Sequence, residues 1–499
     1  MIMLYSSTRN DQIRVTAAQA ISQGISPEGG LFVPTELPAV DENFLQKLLP
    51  LSYTERAKRI LSLFLTDFTA EEIAACADSA YGAQFDTPAI APLQELGDNV
   101  HMLELWHGPT CAFKDMALQI LPHFMRTAVK KAAPGEKTVI LVATSGDTGK
   151  AALEGFKNVP DTKILVFYPS EGVSEMQRLQ MVTQDGDNVG VCALRGNFDD
   201  AQTGVKALFT DPSMIAALEK RGMRFSSANS INWGRLLPQI VYYFSSYCAM
   251  VQSGAVAMGQ PINVVVPTGN FGNILAAYYA GRMGVPLHKL VCASNANRVL
   301  TDFFETGVYD CNRPFYTTTS PSMDILVSSN LERLLYHLSG DDCGALRGWM
   351  EGLKSQRRYA VDAAVKEQMD ARFAAGSATD AQVAETIRRV FADKHYLCDT
   401  HTAVAVRVYE EYRTRTGDTT PTVIASTASP YKFAPAILSA LGETVPEQPY
   451  DQLMVLQQVT GTHIPQPLAA LRDKAVRFTD VCAGDTAGMQ QTVCRLLQI

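Results

Sequence analysis

A unit of buried-looking strand, glycine loop and amphipathic helix recurs along this chain and restricts its fold more than any other feature. "KTVILVAT" (137–144) runs through "SGDTG" into "KAALEGF". "KILVFYP" (163–169) precedes the helical "VSEMQRLQMVT" (173–183), and "NVGVCALRG" (188–196) is a third strand. "INVVVP" (262–267) leads through "TGNFGN" into "ILAAYYAGRMG", and "KLVCASN" (289–295) and "PTVIAST" (421–427) complete the set. Short apolar runs rich in β-branched residues, alternating with helical periods, predict an α/β fold of open, mostly parallel sheets flanked by helices. Ligands of such sheets sit beyond the carboxyl ends of the strands, so the loops that follow these runs are the first places to look for chemistry.

Other segments differ. Residues 1–100 read as a separate unit, with a Gly/Pro-rich turn in "SPEGGLFVPTELPAV" and then helical spacing; in "DFTAEEIAACADSAYG" Asp67 or Thr69 serves as N-cap, with Glu72 three residues after Thr69. Residues 101–309 hold most of the strand–loop–helix units, and 310–395 read as a polar helical insertion outside the catalytic core. Residues 396–499 complete the core and end in a helical tail.

Within "HGPTCAFKDMALQ" (107–119), Lys114 stands among Cys111, Ala112, Phe113 and Met116. Either its stem lies on the protein and its ammonium reaches water, or burial lowers its pKa and makes it a nucleophile able to form a Schiff base. "GNFGN" (269–273) opens a helix after a strand and suits a phosphate, since glycine lets backbone N–H groups approach an anion. It lacks the G-x-G-x-x-G of dinucleotide sites. "SGDTG" (145–149) resembles a second anion site, with a substrate carboxylate as its guest. Asp147 would repel that guest and is expected to cap the helix. The Gly149–Lys150 pair is no P-loop, because Thr144 and Ala151 break the pattern. "NSINWGR" (229–235) offers Asn232 and Arg235, the latter suited to phosphate oxygens, and "STASPYKF" (426–433) places hydroxyls at a strand end.

Several function classes are disfavoured. There are 43 basic and 51 acidic residues, which gives no basic face for nucleic acid. No 18-residue apolar stretch predicts a membrane span, and no G-x-S-x-G predicts a serine hydrolase. Ten scattered cysteines without C-x-x-C or zinc spacing, and a start without an apolar signal region, predict reduced thiols, no metal site and a cytoplasmic protein.

Taken in order, "YSSTRN", "ISPEGGLFVP", "HGPTCAFKDMALQ", "SGDTGKAA", "NSINWGRLLPQIVYYF", "PTGNFGNILA", "CDTHTAVAV" and "STASPYKF" resemble the threonine synthases. These are pyridoxal 5'-phosphate enzymes of the tryptophan-synthase-β (fold type II) group. The resemblance implies that Lys114 is the Schiff-base lysine. It implies that Gly269, Asn270, Phe271, Gly272 and Asn273 cradle the cofactor phosphate, and that Thr427 meets the pyridine nitrogen. Ser145, Gly146, Asp147 and Thr148 would receive the substrate carboxylate, with Asn232, Arg235 and Lys432 as polar or cationic candidates for the substrate. The implied reaction converts O-phospho-L-homoserine and water to L-threonine and phosphate, by a monomer or homodimer. Alternatives are a threonine or serine dehydratase, a phosphohomoserine phospho-lyase, or a catalytically silent homologue. Three departures stand out: many relatives carry asparagine at the position of Asp147, Ser429 and Tyr431 replace the His and Ala of "STAHPAKF", and Pro122 should kink the helix after Lys114.

Overall fold

The computed structural model describes residues 2–144, 146–171 and 173–499, with the side chains of Phe198 and Asp199 left aside. Two sheets carry the architecture. The larger has six strands in the order Phe373–Ser377, Leu287–Ser294, Ile262–Pro267, Thr422–Ser426, Val100–Glu104 and Leu93–Gly97. All neighbours are parallel except the last pair. The smaller is wholly parallel, in the order Val481–Ala483, Val189–Arg195, Thr162–Pro169, Lys137–Ala143 and Met223–Ser226. Every residue of Ile262–Pro267 and of Thr422–Ser426 is buried, as expected for parallel strands covered by helices on both faces. The α/β class and the strands read from the apolar runs stand as expected.

The N-terminal residues build a three-stranded antiparallel sheet (Asn10–Val15, Tyr5–Ser7, Phe32–Pro34) and four helices. Thr69 caps the helix Ala70–Ala80 in a full capping box with Glu72. Leu93–Gly97 falls within the expected 1–100 unit, yet it is an edge strand of the larger sheet.

Three expectations give way. The 310–395 segment is not helical throughout: Phe373–Ser377 pairs in parallel with Leu287–Ser294 and extends the larger sheet. Its apolar content is small, so the run lacks a strand signature, and an edge position tolerates that. The C-terminal tail likewise contributes Val481–Ala483 to the smaller sheet. Pro122 produces no mid-helix kink. The chain instead forms a short helix, Asp115–Leu118, and a second, Leu121–Ala132, with Pro122 in its first turn, where no intrahelical N–H bond is lost.

Candidate active site

Three neighbouring strands of the larger sheet deliver the central groups. Ile262–Pro267 leads into the 268–273 loop, Thr422–Ser426 into Thr427, and Val100–Glu104 into the segment that ends at Lys114. The last two are clipped together. Phe113 N–H donates to the Thr427 carbonyl at 2.8 Å, and Ala112 bridges Ala428. Lys114 is thereby fixed beside the end of the central strand.

The Lys114 ammonium does not reach bulk water. Its side chain is 11% exposed, with Nζ 5.1 Å from the centre of the Phe113 ring. Nζ donates to Ser322 Oγ at 3.3 Å and lies 3.7 Å from Asp147 Oδ2. Burial, with help from the nearby positive charges of Lys432 and Arg235, lowers its pKa to about 8 against the pull of Asp147. Of the two readings of this lysine, the structure favours the desolvated one.

Asp147 is no helix cap. The cap position of Asp147–Phe156 belongs to Gly146, at φ +145°, which has no side chain to offer. A Cβ on Gly146 would come within 2.5 Å of Gln177 Nε2, so glycine is required there for space as well as for dihedral. Asp147 instead forms a buried ion pair with Lys432, Nζ to Oδ1 2.6 Å, and accepts from Gln177 Nε2 at 2.9 Å. The cations Lys432 and Lys114 hold its carboxyl well below the usual range despite burial. Lys432 also donates to the Thr110 carbonyl at 2.9 Å. Lys432, expected as a cationic candidate for the substrate, is engaged by this pair, a partnership the sequence did not reveal. The available signal was an aspartate in the first turn of a helix at an anion loop, which calls for a cation nearby.

The 269–273 loop keeps donors open. Phe271 occupies the left-handed region at φ +66° and starts Gly272–Met283 with no side-chain cap, so the first-turn N–H groups take no cap from it. Its ring stacks on Phe304 at 6.0 Å; it braces the loop from inside the core. Asn273 Oδ1 accepts from the Tyr242 and Tyr243 hydroxyls, while its buried Nδ2 has no partner among the described residues. Arg235 is 3% exposed, donates Nη1 to the Ala228 carbonyl, and leaves Nε unpartnered among those residues. Unpaired buried donors are costly, and an anion at each would satisfy it. Gly269, Asn270 and Gly272 lie in the same loop, with Asn270 exposed. Thr427 N–H donates to Thr402 Oγ1 at 3.3 Å, and the Thr427 hydroxyl has no hydrogen bond among the described residues. These groups fit pyridoxal phosphate: an amine for the aldehyde, open donors for the phosphate, a free hydroxyl for the ring.

Thr148 is partly exposed near Asp147, whereas Ser145 lies outside the described residues. Asn232 departs from its expected substrate role. It is fully buried, donates Nδ2 to the carbonyls of Ile21 and Ser227, and accepts from Gly234 N–H as the cap of Trp233–Gln252. Its amide is structural. Two groups went unseen in the sequence: Ser322, and the His401–Asp399 pair behind it.

The fold and this site define a class, the pyridoxal-phosphate-dependent enzymes, whose family model matches residues 82–427. A model of the threonine synthase N terminus matches residues 4–81, and one of the threonine synthase C-terminal region matches 402–493. The chain belongs to the threonine synthase family. It is 38% identical over 442 residues to the threonine synthase of Pseudomonas aeruginosa, covering 88% of this chain and 90% of that one. It is also 38% identical over 496 residues to threonine synthase-like 1 of Homo sapiens, covering 96% of this chain; it spans 66% of that relative's length. The structure of PLP-bound threonine synthase from Brucella melitensis superposes over the whole of both chains with a TM-score of 0.89 at 35% identity.

Proposed function

We propose that the chain catalyses the threonine synthase reaction, taking O-phospho-L-homoserine and water to L-threonine and phosphate. The observation that carries this reading is the Lys114 amine, desolvated and neutralised in part at physiological pH. With a pKa of about 8, roughly a quarter of it is free base at pH 7.5, against about one part in a thousand for an ordinary lysine. Lys114 would hold the cofactor through Nζ, the 269–273 loop with Asn273 would take its phosphate, and the Thr427 hydroxyl would be available to its ring. When bound, pyridoxal phosphate supplies an electron sink for negative charge developing on the substrate carbons.

As a free amine, Lys114 is a base of suitable strength to take the substrate's α proton and return protons later. The substrate carboxylate docks at Gly146, Asp147 and Thr148. Repulsion by Asp147 is met by Lys432, because the buried pair presents little net charge. Arg235, whose charge has no acidic partner within hydrogen-bond reach among the described residues, takes the substrate phosphate. All ten cysteines are free and nine are buried, which suits the cytoplasm.

Incubation with O-phospho-L-homoserine separates the outcomes. L-threonine and phosphate in equal amounts are expected. Formation of 2-oxobutyrate alone would assign a phospho-lyase, and no turnover a silent homologue. Borohydride reduction should fix the cofactor mass on the peptide containing Lys114. An adduct on another lysine overturns the assignment.

A further inference from the structure

Ser322 sits on a single 3₁₀ turn, Pro321–Met323, inside the segment expected to lie outside the core. Its hydroxyl accepts from Lys114 Nζ at 3.3 Å and donates to Asp147 Oδ2 at 3.5 Å. Its backbone N–H donates to His401 Nε2 at 3.2 Å. A ring nitrogen that accepts carries no proton, so the His401 proton is on Nδ1, which faces Asp399 Oδ2 at 2.8 Å. Asp399 is itself immobilised as the cap of Thr400–Thr416, accepting from the N–H groups of His401 and Thr402. Both residues are buried, and the Phe433 ring packs on His401 at 4.9 Å. The turn is tied down on its other side too. Asp324 accepts from Asn295 at 2.7 Å, and Gly269 has room only for hydrogen, because a Cβ there would lie 2.7 Å from the Ser322 carbonyl.

We propose that Ser322 is a catalytic residue that aims the Lys114 amine, and that Asp399 and His401 are positioning residues that hold Ser322 in place. The inference rests on the reading of Lys114 as the base. A neutral amine has two N–H groups and one lone pair. Ser322 Oγ accepts one N–H, and Asp147 Oδ2, at 3.7 Å, attracts the other by charge without a hydrogen bond, so the lone pair is directed into the remaining tetrahedral position, away from both. Without Ser322 the amine rotates about Cε–Nζ and samples unproductive directions. No proton changes owner in this arrangement; Ser322 works by orientation, and a net hydrogen bond of this kind is worth about tenfold in rate.

The charged groups around Nζ are Asp147, Lys432 and Arg235, and none of them is altered in the test. The first readout needs no cofactor: reductive methylation of Lys114 in the cofactor-stripped full chain, followed across pH by peptide mass. In Ser322→Ala the ammonium loses an acceptor, so the labelling midpoint should move to lower pH. His401→Phe, which removes the acceptor for Ser322 N–H, should shift it the same way. The double variant should add nothing further, because both act through one hydroxyl. His401→Gln retains an acceptor and should restore the wild-type midpoint. In the active enzyme, Ser322→Ala should lower kcat about tenfold with KM within about threefold. Wild-type labelling in folded Ser322→Ala, or additive effects of the two variants, would falsify the proposal. A wild-type chain that makes no threonine but shows these labelling shifts would sink the proposed reaction and leave the role of Ser322 standing.

Discussion

At the scale of the residue, the site is a problem in charge placement. Lys114, Lys432 and Arg235 crowd one buried region, and Asp147 is the carboxylate that bonds two of them. Asp147→Asn should therefore do more than remove one contact. Lys432, fully buried, would keep the Thr110 carbonyl and a neutral amide oxygen but lose its counter-charge, and breaking a buried ion pair in this way costs about 3–5 kcal/mol. Urea unfolding measures this; a loss under about 1 kcal/mol would show that the pair is not desolvated as drawn. The sign of the pH effect follows from Lys114. Its amine has a pKa of about 8 when folded and an ordinary value of 10.5. Between those values the unfolded chain holds the proton and the native chain does not, so this group adds stability as pH rises through that window. Because Asp147 raises the Lys114 value, Asp147→Asn should open the window at lower pH. The same unfolding series, run from pH 7 to 10, reads the change directly.

At the scale of the element, the sheets and the loops that follow them were legible. Valine- and isoleucine-rich runs such as "INVVVP" have one stable use in an α/β chain, and glycine at 269 and 272 marked the candidate phosphate loop after it. Ser322 was not legible. It lies 208 residues from Lys114, and neither its spacing nor its surroundings carry a local signal; the contact exists only because Asn295, His401 and Gly269 fix the 320–324 turn. Asp147 was misread for a related reason: local rules award a first-turn aspartate to capping, and the tertiary cation Lys432 overrides them. The close approach of the 269–273 loop to the Ser322 carbonyl can be tested. Gly269→Ala should push the two elements apart and cost about 1–3 kcal/mol, as overpacking does. It should also weaken cofactor retention on dialysis, since the loop moves with it. Unchanged stability and retention would mean that the turn yields without disturbing the cradle.

At the scale of the whole molecule, the site depends on parts of the chain that never touch substrate groups. Arg333 is fully buried and joins three of them. Nε donates to the Phe32 carbonyl of the N-terminal sheet at 3.0 Å, Nη2 to the Ile231 carbonyl of the 229–235 loop at 2.6 Å, and Nη1 to Asn330 Oδ1. Asn330 in turn donates to the carbonyls of Ser230 and Asn270, so one guanidinium ties the N-terminal unit to both candidate phosphate loops. Burial lowers its pKa to about 10, which leaves it charged at neutral pH. Lysine cannot replace it, because a single ammonium on a flexible stem does not span three acceptors set at fixed angles. Arg333→Lys should thus leave at least one buried carbonyl unpaired, at about 1–3 kcal/mol each, and loosen both loops together. Urea unfolding followed by tryptophan emission reports on the same place, since the guanidinium lies 6.0 Å from the Trp233 ring. The expected pattern is an earlier unfolding midpoint accompanied by weaker binding of both cofactor and substrate. A variant that loses stability while both affinities hold would show that the N-terminal unit braces the core without setting the loops, and the link drawn here from Phe32 to Asn270 would be broken.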